Sequence, residues 1–70
     1  MKTVTMNKRN KVEAPEEFKA EGVIAFQVVE FVISYFGNEI VTEHDTKIMT
    51  DGSQYVIGGC GFIKDGYKVD

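Results

Sequence analysis

Seventy residues containing one cysteine, one histidine and one proline lack most of the devices that hold small proteins together. A single cysteine excludes an intramolecular disulfide, and one cysteine with one histidine cannot build a structural zinc site. At this length one domain spanning residues 1–70 is expected, near the lower limit at which a hydrophobic core suffices by itself, so oligomerisation is the remaining support. Scarce proline and a 43% hydrophobic content argue against disorder. No apolar run approaches the roughly 20 residues of a membrane span, so no membrane association is expected. The first ten residues lack the apolar stretch of a signal peptide, and the free thiol of Cys60 suits a reducing compartment, which together point to the cytoplasm.

What the chain does have is "VIAFQVVEFVISYF", residues 23–36, in which eleven of fourteen residues are apolar. The β-branched residues Val23, Ile24, Val28, Val29, Val32 and Ile33 favour a strand, but fourteen residues is long for one strand. Gln27, Glu30 and Ser34 recur at helical spacing, and Glu16, Lys19 and Asn38 extend the same stripe. Pro15 at a first-turn position, Glu16 and Glu17 beside it, and a Gly37-Asn38 stop complete a helical pattern over residues 15–36, with Gly22 as an internal breakpoint. The polar stripe is too narrow for a helix packed on one side only. A homodimer is therefore expected, its interface drawn from Phe26, Val29, Phe31, Ile33 and Phe36.

The last third reads as sheet. Asp51-Gly52 and Asp65-Gly66 both suit two-residue hairpin turns flanked by β-forming residues. The first would set Ile48 against Tyr55 and Thr46 against Ile57 on a core face, and the second would pair Phe62 with Val69. Keeping Tyr55, Ile57 and Phe62 on one side requires an extra residue, for which the run Gly58, Gly59, Cys60, Gly61 offers a β-bulge. The expected fold class is thus α+β: one main helix packed on a small antiparallel sheet, a β-meander with two Asp-Gly hairpins over residues 39–69. Residues 1–11 form a basic N-terminal arm or edge strand, with residues 3–6 as the segment that would join the sheet.

No catalytic constellation assembles. Cys60 would need a nearby base, and His44, the sole histidine, lies in the polar "TEHDT" as a solvated turn residue. A 70-residue domain offers little room for the cleft that paired-carboxylate chemistry requires. The chain is therefore read as no enzyme, with no metal and no cofactor. The glycine run invites an alternative reading as a small-molecule or nucleotide-binding module, with Gly58 to Gly61 forming a loop at a subunit interface. A phosphate loop would be followed by a helix, whereas the residues after this run read as strand and turn.

Charge is more informative. Lys2, Lys8, Arg9 and Lys11 precede every acid, and from Val12 onward eleven acids face four lysines. An acidic body disfavours direct nucleic-acid binding and favours a basic protein partner. In an extended "NEIVTEHD", Glu39, Val41, Glu43 and Asp45 share one face, with alternate positions about 6.8 Å apart. This resembles the layout used by small viral DNA-mimic proteins, which present spaced carboxylates to a basic cleft. The expectation is a non-catalytic inhibitor of a basic, nucleic-acid-binding protein, contacting it through Glu39, Glu43 and Asp45 with help from Glu16, Glu17 and Glu30.

Overall fold

The computed structural model describes residues 8–69, with side chains from residue 10 onward. Four strands form one antiparallel sheet in chain order: β1 (Lys8–Glu13), β2 (Val23–Tyr35), β3 (Asn38–Met49) and β4 (Gln54–Gly59). One helical turn, α1 (Glu16–Lys19), links the first two. The basic arm thus contributes an edge strand from Lys8, while residues 3–6, expected to join the sheet, lie outside the described residues.

The α+β expectation is overturned: residues 23–35 are a strand, and among the described residues no long helix packs on the sheet. The helix-start signals at Pro15, Glu16 and Glu17 are real, but they serve a single turn. Gly22, at φ +90°, ends it and accepts a hydrogen bond from the Thr50 N–H at 2.9 Å. Beyond that point side chains alternate, with Val23, Ala25, Gln27, Val29, Phe31 and Ile33 all buried. Gln27, Glu30 and Ser34, one stripe on a helical wheel, divide between the two faces of the sheet. Gly37-Asn38 is no helix stop either. Phe36 and Gly37 have positive φ, 48° and 78°, and Tyr35 pairs with Asn38, the pattern of a two-residue type I′ hairpin. At about 3.3 Å per residue, 13 residues of β2 span roughly 43 Å. That matches the 43 Å long axis of the molecule, so the β2–β3 hairpin sets its length.

Asp51-Gly52 does turn the chain, one residue out of the expected register. The Met49 N–H donates to the Ser53 carbonyl at 2.8 Å, closing a three-residue loop with Gly52 at φ +90°. Ile48 consequently opposes Gln54 rather than Tyr55. A slip of one residue exchanges the faces of a strand, so Gln54 and Val56 point inward while Tyr55 and Ile57 point outward. A bulge at Ile57, between the Thr46–Val56 and Asp45–Gly58 pairs, precedes the glycine run. The second expected hairpin is absent. Residues 60–69 pass through turns and return along β4, where the Val56 N–H donates to the Tyr67 carbonyl at 2.9 Å and the Val69 N–H to the Gln54 carbonyl at 2.8 Å. Phe62 is exposed instead of paired with Val69.

This return closes the core. Val29, Phe31 and Ile33 from β2 and Val56 from β4 pack with Ile63 and Val69, and the Tyr67 ring meets Phe31 edge-on at 6.0 Å. Burying such a side chain contributes about 1.5–3 kcal/mol. Much of the apolar surface of β2 is therefore covered by the chain's own C-terminal segment. Val29, Phe31 and Ile33, expected at a dimer interface, lie inside a single chain.

Candidate interaction face

The inner face is unusually polar. Gln27, Thr42, His44, Thr46 and Gln54 are all buried there. Thr46 Oγ1 donates to the Gln27 carbonyl at 2.7 Å and accepts from Gln54 Nε2 at 2.7 Å, and the same Nε2 reaches Gln27 Oε1 at 3.3 Å. Three strands are thus cross-tied by side chains that fix their register. His44 is no solvated turn residue: it sits in mid-strand at 1% exposure. Its Nε2 and Thr42 Oγ1 lie 2.8 Å apart, and its ring meets Phe31 at 5.0 Å. Burial pushes its pKa below the usual 6.5, against weaker pulls from the Gly58 backbone and from Asp45 and Asp65. Buried Nδ1 has no full hydrogen-bond partner among the described residues.

The glycine run explains that closeness. A Cβ at Gly59 would stand 2.6 Å from His44 Nδ1 and 2.7 Å from the Glu43 carbonyl oxygen, and Gly59 has φ +133°. Packing of β4 on β3 therefore accounts for glycine at 59. Cys60 follows as a half-buried free thiol.

The outer face is the more open. Register places Phe26 opposite Lys47, Val28 opposite Asp45, Glu30 opposite Glu43, Val32 opposite Val41 and Ser34 opposite Glu39. Glu39, Glu43 and Asp45 are exposed, and Val41 between them is 57% exposed. Glu30 and Glu43 thus bring two carboxyl side chains onto neighbouring positions of this face. Toward β1 and β4 the face becomes apolar. Asn10, Val12, Phe26, Val28, Asp45 and Ile57 border a shallow hollow of about 350 Å³.

Four of the six expected contact acids, Glu30, Glu39, Glu43 and Asp45, thus share the outer face. Glu16 and Glu17 do not join them. They ride on α1, before the Val23 end of β2, whereas Glu39 adjoins the Tyr35–Asn38 turn at the other end. Glu16 also engages Lys19, whose Nζ lies 3.4 Å from its Oε1. Of the expected dimer residues outside the core, Phe26 is partly covered by Phe18 of α1, ring centroids 5.3 Å apart, while Phe36 is 85% exposed at the hairpin tip. Sequence reasoning missed the apolar margin formed by Val12, Val28 and Ile57. The alternation of β2 would have exposed Val28, but the one-residue slip hid the outward direction of Ile57.

No helix among the described residues is long and apolar enough to cross a membrane. Comparison with protein-family models, with curated proteins and with solved structures finds no match for this chain.

Proposed function

We propose that this protein is a small, non-catalytic interaction protein that binds a basic protein through the outer face of β2 and β3, in its sharpest form as an inhibitor that occupies a nucleic-acid-binding cleft. The observation that carries the reading is the clustering of Glu30, Glu39, Glu43 and Asp45 on one face, flanked by the exposed apolar residues Val12, Val41 and Ile57. Carboxylates steer a basic partner and select against acidic ones, while the apolar margin supplies area whose burial favours the complex. Two copies meeting through this face would oppose their own carboxylates, so the reading needs no dimer. The free thiol of Cys60 supports a reducing, cytoplasmic setting.

The test uses fluorescent decalysine as a stand-in for a basic surface. Glu39→Gln, Glu43→Gln and Asp45→Asn together keep shape and remove charge. This variant is expected to bind about tenfold or more weakly at low salt, with the difference shrinking as salt screens exposed charges. Glu16→Gln, Glu17→Gln and Glu21→Gln together form the matched control, removing the same charge from around α1. Equal weakening by both variants would show attraction to net charge alone and sink the assignment of this face.

A further inference from the structure

We infer that the outer edge of β3 at residues 38–42 takes up an extended, lysine- or arginine-bearing strand of the basic partner; this rests on the acidic-face reading and specifies how that face is used. β4 runs alongside β3 only as far as the Gly59–His44 pair. Beyond it, residues 38–42 have no strand partner on that side among the described residues. A two-residue turn makes Tyr35 and Asn38 a hydrogen-bonded pair, and antiparallel ladders alternate, so the backbone N–H and C=O groups of Glu39 and Val41 point away from β2. The same alternation holds further along β3, where the Met49 N–H faces the β4 side and donates to the Ser53 carbonyl. Glu39 and Val41 therefore offer a short ladder to an incoming backbone.

Charge decides which backbone it admits. An open edge is a template for self-pairing, and charged side chains are a common protection against it. Were a second copy to add here antiparallel, Glu39 and Glu43 of each chain would fall against one another on the outer face, a repulsive arrangement. A strand carrying lysine or arginine on that face converts the repulsion into cross-strand attraction, and its aliphatic stems can lie over exposed Val41. Ile40 and Thr42 on the inner face accept apolar neighbours. The edge is thus closed to its own kind and open to a basic segment, the mode in which main-chain bonds supply affinity and alternate side chains supply selectivity.

The experiment titrates the whole protein with a capped octapeptide of alternating lysine and valine, and with the same peptide N-methylated at alternate amides, which keeps the charge but removes ladder donors. The unmodified peptide is expected to bind about tenfold or more tightly than the methylated one and to slow amide exchange at Glu39 and Val41. Equal binding by the two peptides, or binding without protection there, overturns the edge mode. If the charge-neutralised triple variant then weakens both peptides alike, the acidic face still stands and only the docking mode has failed. Protection at Glu39 and Val41 that rises with protein concentration in the absence of peptide would identify a second copy as the occupant and also overturn the inference.

Discussion

Gly59 and His44 meet across the β3–β4 pair with no room for a side chain on the glycine, since a Cβ there would stand 2.6 Å from the imidazole Nδ1 and 2.9 Å from the His44 Cα. The Cα is backbone and cannot swing aside. Gly59→Ala combines that clash with a φ of +133° that L-residues rarely adopt, and is expected to cost roughly 2–4 kcal/mol. Gly61→Ala, where nothing lies within 4 Å, is the control and should change stability little. Urea unfolding of the two variants decides it, and equal midpoints would mean the glycine run is not fixed by packing.

His44 also makes stability depend on pH. Its folded-state pKa is lowered by burial, so below the unfolded value of 6.5 the unfolded chain takes up a proton more readily than the native one. Stability from this residue is fully present above pH 6.5, declines as pH falls through that value and levels off below the depressed folded pKa. Asp51, whose pKa is lowered chiefly by the hydrogen bond from the Ser53 hydroxyl, acts in the same direction in a separate, more acid window, below its ordinary 3.8. Stability of His44→Gln measured between pH 7.5 and 5 should lack the His44 decline. A wild-type curve that is flat across this range would show that the imidazole protonates in place without strain.

The buried ladder Gln27–Thr46–Gln54 gives a third test. Thr46→Val preserves shape but withdraws both the donor to the Gln27 carbonyl and the acceptor for Gln54 Nε2. With Thr46 fully buried, water cannot replace these bonds, and the expected loss is about 1–3 kcal/mol. Thermal unfolding reads it directly; a loss well under 0.5 kcal/mol would mean the neighbouring amides find other partners.

Some of this architecture was legible in the chain and some was masked for identifiable reasons. "NEIVTEHD" alternates cleanly because only one of its faces is buried, so the shared direction of Glu39, Glu43 and Asp45 could be read directly. Residues 23–35 carry apolar side chains on both faces, with Phe26, Val28 and Val32 outward and Val29, Phe31 and Ile33 inward. That erases the period of two and leaves three polar residues to mimic a helical stripe. β-Branched composition was the better guide there. Asp51-Gly52 marked a turn correctly but did not specify its length: aspartate-glycine suits a two-residue loop and also a three-residue loop with glycine in the left-handed position. The difference moved Tyr55 and Ile57 from the expected core face to the outer one. His44 was misjudged because its charged immediate neighbours, Glu43 and Asp45, belong to the opposite face.

The hairpin tip yields the last prediction. Phe36 holds φ +48° in a turn position that favours asparagine or glycine, and it remains 85% exposed. The left-handed conformation costs a non-glycine residue about 1–2 kcal/mol, less for asparagine, whose side chain bonds locally. Against this stands the edge-on contact with Tyr35, ring centroids 4.5 Å apart. Aromatic pairs contribute about 0.5–1.5 kcal/mol, and exposure of both rings holds this one at the low end. Relief of strain therefore wins. Phe36→Asn, which creates an asparagine-glycine turn, is expected to stabilise the protein by about 0.5–1 kcal/mol, a rise of a few degrees in Tm for a domain of this size. Phe36→Ala separates the effects by removing the ring while retaining a Cβ in the left-handed region, and it should be no more stable than wild type. Should Phe36→Asn instead unfold at a lower temperature, the aromatic pair would be a larger contributor to hairpin stability than its exposure implies.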